Sequence, residues 1–379
     1  MIRILTIISS LIAFAAAQAQ EVRGIELIES TTFLVPPDSL IQLQPTPSIS
    51  PRWTFEDQTK DEVIQFLEGL ELPESATAHI AQARAWNPVE FGVQFFPTSQ
   101  MIRDLPETTR SAIYRRLAES DLNPFQQQPF LFGADVKTWF RDSEISPDLV
   151  AEIEQLTYPI GKVRAFSDLS TVLAHAAELN QERELMRTVY GSPSRILNVR
   201  WPGNLDWEGW IEFWTASGRN VDHVPFLEAL RRNPAVGSVD LIHLLPPNAR
   251  KRLNTWPSLS AGMNGVFPNS FSSAMRFFQI SVPDTAIDPD RVVVLLDRGY
   301  EKIESPYRFG DVLLYNVEGD TTPVHANVFI AEDLVYTKLS RSVMRPWVVM
   351  KMDEVQPFFE PADGRKLLTQ GWRKLPPKE

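Results

Sequence analysis

Residues 268 to 278 read PNSFSSAMRFF, a Pro-Asn turn running into small residues that can open a helix. Ser270 sits at that opening. A hydroxyl there has two uses. It can accept a hydrogen bond from a free backbone N–H, since serine and asparagine are preferred helix caps. Or, if a positioned base takes its proton, it can attack a carbonyl carbon. The other residues able to do chemistry are few. The chain has five histidines, His79, His175, His223, His243 and His325, and no cysteine. The missing cysteine excludes a thiol nucleophile, thiolate zinc sites and iron–sulfur clusters. The first four histidines have no acidic or histidine neighbour at ligand spacing, so each reads as a surface or packed residue, and neither metal nor cofactor is expected. Trp207, Trp210 and Trp214 fall at helical spacing in DWEGWIEFWTASGR. Such a stripe can stack on sugars, but amphipathic spacing is first of all the pattern of a core helix.

The chain begins MIRILTIISSLIAFAAAQAQEV, with one early positive charge, an apolar run and the small-residue pattern Ala17-Gln18-Ala19. This reads as a secretory signal peptide over 1–19, cleaved after Ala19. The run is short of the roughly 20 residues of a membrane span, and no later segment offers one. The mature chain is therefore expected to be exported, periplasmic or secreted, with no membrane span. Its net charge of −11, or −12 once Arg3 is removed, argues against a general nucleic-acid binder. A local basic patch for an anionic wall polymer stays possible.

Residues 20–55 carry VPPDSL and QPTPSISP and read mostly as a linker, with short apolar runs at 25–28 and 32–35 that could add a strand. Residues 56–257 read as an irregular helical region. Thr59 and Glu62 have capping-box spacing, Ser146-Pro147 opens a helix with Leu149, Ile153 and Leu156 on one face, and further helices are expected at 168–190, 206–217, 222–232 and 246–255. Residues 258–379 read as a helix-then-sheet module. A helix near Ser270 and another in DPDRVVVLLDRGY precede strands at 311–315, 324–330, 334–338 and 347–350, with a hairpin turn at 331–333. The whole is of α+β class.

The order helix, FGDVLLY (309–315) and PVHANVFIAEDLVYTK (323–338) resembles the NlpC-type cell-wall peptidases and amidases, small papain-like hydrolases. In that family a cysteine opens the helix, a Gly-Asp pair precedes the first core strand and a histidine begins the next. The matching positions are Ser270, Gly310-Asp311 and His325, so the resemblance implies a nucleophile position occupied by serine. It covers about the last third of the chain. More of the chain, through LIHLLPPNARKRLNTWP (241–257) and RPWVVMKMDEV (345–355), looks like a group of exported bacterial proteins sharing this end. A serine gains little from a helix dipole and would depend on His325 as general base. Hairpin alternation puts Thr337 on the face of His325, as a weak orienting group, and Lys338 on the other. The leading expectation is a degenerate papain-like module that binds a peptide, a wall fragment or an envelope protein without catalysis. The competing one is an amidase or peptidase using Ser270, His325 and Thr337. A third is a structural protein whose helical region carries the interaction.

Overall fold

The structure is a computed structural model describing residues 25–43, 50–133, 135–216, 218–262, 267–278, 288–361 and 364–375. The leader expected at 1–19 lies outside them. The described chain mixes helices with antiparallel sheets, as the α+β reading requires. No helix among the described residues is long and apolar enough to cross a membrane.

The first strand, β1 (Glu26–Leu34), lies inside the stretch read as linker. A compact unit then runs from Val35 to Tyr190. Its strands are β2 (Trp53–Glu56), β3 (Trp86–Val89), β4 (Gly92–Phe95), β5 (Phe130–Phe132), β6 (Tyr158–Ile160) and β7 (Val163–Phe166). They form two small sheets, ordered β2-β4-β3 and β5-β7-β6. At three or four residues each, these strands are too short for a two-residue alternation to stand out. That is why the region read as wholly helical. Its helices are where local signals put them. Thr59 and Glu62 close a reciprocal capping box on Lys60–Glu68, and Ser146 caps Pro147–Leu156, which buries Leu149, Ile153 and Leu156. The helix expected over 168–190 is two, Leu169–Glu178 and Glu182–Val189, parted near Asn180, whose φ of 56° is left-handed.

This unit encloses a polar knot. The buried Arg110 guanidinium donates to the carbonyls of Ile102, Leu105, Gln155 and Thr157. Tyr114 donates its hydroxyl to Asp168, whose other carboxyl oxygen has no partner. Tyr158 and Ser167 hydroxyls meet at 2.7 Å.

The second unit joins β1 to everything from Gly191 onward. Its later strands are β8 (Ser192–Arg200), β9 (Ser238–Asp240), β10 (Tyr300–Ile303), β11 (Val312–Val317), β12 (His325–Ala331), β13 (Leu334–Thr337), β14 (Val348–Lys351) and β15 (Leu367–Lys374). β1 pairs along its full length with β8, in a sheet ordered β1-β8-β9. The units therefore part at 34/35 and 190/191, where the sequence suggested 55/56 and 257/258. The reason is a pairing across more than 150 positions (Glu26 opposite Arg200), which no local pattern announces.

The larger sheet has the order β10-β15-β11-β12-β13-β14. Its two edge-side strands β10 and β15 were not foreseen. Alternation sorts the central strands into two faces. Val312, Leu314, Ala326, Val328, Ile330, Tyr336 and Val349 pack with Phe271 and Ala274 of the Ser270–Met275 helix and with Phe277 just beyond it. Leu313, Tyr315, Phe329, Val335, Val348 and Met350 form the opposite core with Val355 and Phe359. Trp210 and Trp214 are fully buried in the first core, so the tryptophan stripe packs inward.

Burial pushes the Asp168 carboxyl up to about 6, only partly offset by the Tyr114 hydrogen bond and the Arg110 charge. Its unfolded value is about 3.9, so the folded state holds this proton more tightly. The corresponding stability is fully present below about pH 4 and is lost as pH rises through about 6, on the order of 3 kcal/mol. Asp168→Asn keeps an oxygen for Tyr114 and removes the titration. In urea titrations, the part of the wild-type stability loss between about pH 4 and pH 7 that belongs to this group is expected to vanish in the variant.

Candidate functional site

Ser270 is the first residue of its helix, and its cap is Asn269. The Asn269 side chain accepts from Ser272 N–H at 2.9 Å, and Ser272 Oγ accepts from Asn269 N–H at 3.1 Å. Capping is thus done next door, and the Ser270 hydroxyl is turned toward the sheet. There Oγ accepts the backbone N–H of Ala326 at 3.3 Å. Ala326 lies beyond the β12–β13 pairing, which runs from Val328 opposite Tyr336 to Ala331 opposite Leu334. The serine therefore ties helix to strand where the ladder has ended. It is 4% exposed.

His325 is the residue before Ala326, and strand alternation sends its ring to the other face. The ring lies near Tyr315 and stacks on Phe359, centroids 3.9 Å apart and planes 19° apart. Its Nε2 meets Asn327 Oδ1 at 2.9 Å and Thr337 Oγ1 at 2.8 Å. Asn327 Oδ1 can only accept, so the proton belongs on Nε2. The expected neighbourhood of Thr337 and His325 is present, although the hairpin differs in detail. Its turn is the two residues Glu332-Asp333, with Glu332 at φ 52°, and the register shifts between Phe329 and Ala331. Lys338 points to the opposite side, as alternation required, and its buried Nζ donates to the carbonyls of Ser340 and Ser342.

The three sequence-level candidates therefore do not assemble as one site. Thr337 and His325 meet; Ser270 and His325 share no hydrogen bond, and their side chains serve different cores. Burial pulls the His325 ring down to about 3, against a small upward push from Asn327. A base so weak, 1% exposed and covered by an aromatic ring, is poorly matched to taking a serine proton near neutral pH.

Gly310 and Asp311, the other matched pair, hold the start of β11. Gly310 has φ 86°, and a Cβ there would fall 2.5 Å from the Phe278 ring. Asp311 is buried, accepts the Arg308 N–H at 2.6 Å and forms a two-point ion pair with Arg373 at 3.1 and 2.7 Å.

Sequence reasoning missed Asn327, Tyr315 and Phe359. Asn327 was within reach, because a residue two places along a strand shares its face. Its Nδ2 and the Tyr315 hydroxyl are both buried on the side of the sheet that holds the His325 ring, where neither makes a hydrogen bond of ordinary geometry to a described residue. Phe359 carried no signal.

Elsewhere, Glu29, Glu332 and Asp333 bring carboxylates within 4.8 Å of one another. Arg195 and Lys351 pair with Glu29 at 3.1 and 3.4 Å, and Lys351 reaches Asp333 at 3.7 Å, which makes this an ion-pair network. His175 Nδ1 meets Glu152 at 2.7 Å, a partner 23 residues away that ligand spacing did not reveal.

Comparisons with protein-family models, with curated proteins and with solved structures found no match.

Two outcomes follow from this geometry. Ser270→Ala strands the Ala326 N–H and is expected to lower stability by about 1–3 kcal/mol in denaturant titrations; a neutral result would mean that the bond carries nothing. For His325, whose unfolded value is about 6.5, depression in the folded state means stability is held above that value and lost as pH falls toward about 3. Its ring resonances are expected to stay fixed between about pH 5 and pH 8, and an ordinary titration near 6.5 would contradict a sealed ring.

Proposed function

We propose that this chain is an exported envelope protein whose carboxy-terminal part is a degenerate NlpC-like module, used to bind a peptide, a cell-wall fragment or a protein partner rather than to cleave one. One arrangement supports the reading above all. The hydroxyl at the nucleophile position is engaged by the Ala326 N–H, while the histidine that would activate it faces the opposite side of the sheet. Acyl transfer by a serine needs that hydroxyl and a basic ring nitrogen in hydrogen-bond reach. Here each is spent on holding the fold. The resemblance to wall hydrolases motivates the ligand class, and the leader-like first 19 residues motivate the location.

The test uses the mature protein with wall stem peptides, following both cleavage and retention. No cleavage is expected from the wild type. None is expected from Ser270→Cys either, because a better nucleophile leaves the ring on the wrong face; stem peptides should nonetheless be retained. Cleavage that disappears in Ser270→Ala would overturn the proposal in favour of a serine hydrolase.

A further inference from the structure

β1 and β8 face one another along their whole length, and their ladder ends with Leu34 opposite Ser192. Two strands so paired are a hairpin, and the unit Val35–Tyr190 stands where its turn would be. Both ends of that unit therefore leave the hairpin at one point. The hairpin itself is built into the other unit. Leu34 packs on the core that contains Leu313 and Val335, whereas Leu27 and its partner Val199 belong to the core beneath the Ser270–Met275 helix. Val349 N–H donates to Ser194 Oγ at 3.3 Å, and Arg345 fixes the start of β8 through the Gly191 carbonyl at 2.8 Å and Ser192 Oγ at 3.2 Å. All of these partners lie outside 35–190. The inserted unit closes on itself in turn: its first helix, Asp38–Ile41, meets its last, Glu182–Val189, through a two-point ion pair of Asp38 with Arg183.

Unfolded, the insert would be a loop of roughly 150 residues, and the entropy cost of closing a loop grows only with the logarithm of its length. A nine-residue strand anchored in two cores can stay paired across it. The two units also answer to protons in opposite directions. Asp168 lies in the insert, faced by Tyr114 and Arg110 from one helix and by Tyr158 from β6. Its carboxyl, pushed up to about 6 by burial from an unfolded value of about 3.9, costs the insert stability as pH rises between the two. His325 lies in the other unit among the uncharged Tyr315, Asn327, Thr337 and Phe359. Burial pulls it down to about 3 from an unfolded value of about 6.5, so that unit gains stability over the same range.

We propose that Val35–Tyr190 is a separately folding insert carried on the β1–β8 hairpin, and that it opens more readily as pH rises while the hairpin and the module holding Ser270 and His325 stay closed. The proposal invokes no ligand and stands apart from the binding reading. It is tested by amide hydrogen exchange of the full mature chain, read peptide by peptide between about pH 4 and pH 7 and corrected for the intrinsic exchange rate. Protection within 35–190 is expected to fall about fiftyfold across that range, while protection of β1, β8 and β11 to β13 does not fall. Asp168→Asn removes the fall. Ser270→Ala lowers protection of β11 to β13 about tenfold and leaves the insert as in the wild type; this second variant and the wild type decide the matter if the first fails to fold. Insert and hairpin losing protection together, or either substitution changing both units alike, overturns the separate insert. A pH-indifferent insert, or a fall that persists in Asp168→Asn, overturns the pH response.

Discussion

β12 is buried along its whole length, from His325 to Ala331, with a core on each side of it. Few constraints are as strict, because a strand covered on both faces cannot slip by one residue without exchanging every side chain between cores. Ala326, Val328 and Ile330 are committed to the helix-covered face, so His325, Asn327 and Phe329 are committed to the other. Everything distinctive about the candidate site follows from that parity. The histidine reaches Thr337 and Asn327, its own face-mates, and is closed off by Phe359. The serine, arriving from above the other face, finds only the backbone of Ala326.

The same parity gives the polar residues a structural purpose. Ser270 supplies the acceptor that the ended ladder does not, and Asn269 with Ser272 satisfies the first turn of a helix only six residues long. Gly310 permits a close approach of the Phe278 ring, and Asp311 spends its charge on Arg373. In a hydrolase, several of these groups would be held in readiness for a substrate. Here their hydrogen bonds are already made within the protein, which is the physical basis for proposing that these residues do not cleave a substrate.

Charge is distributed on a different principle. The acidic excess is not uniform, since residues 241–283 and 334–352, which pair around Trp347, hold no acid. In the Val35–Tyr190 unit, burial rather than charge density sets the electrostatics. Arg110 donates to four carbonyls but leaves its Nε without a partner among the described residues, and Asp168 has one partner and one oxygen with none there, so that unit carries an acid whose ionisation opposes folding.

Local signals were enough for much of the secondary structure. The Thr59–Glu62 box, the Ser146-Pro147 opening, the Asp288-Pro289 opening and the runs that become β11 to β14 all depend on residues within a few positions of one another. Alternation alone also placed Thr337 beside His325 and Lys338 on the other side. The short strands of the Val35–Tyr190 unit escaped notice because three or four residues cannot display a period. β1 showed only as two short apolar runs that could add a strand, because its partner β8 lies more than 150 residues away. By itself, then, the sequence determined the helix caps, the neighbours along each strand and the exclusion of cysteine chemistry, since these need nothing beyond adjacent residues. Only the tertiary structure decided which face of the sheet the Ser270 helix would cover, and so whether serine and histidine could meet. That choice depends on packing two cores at once, and no stretch of sequence contains both.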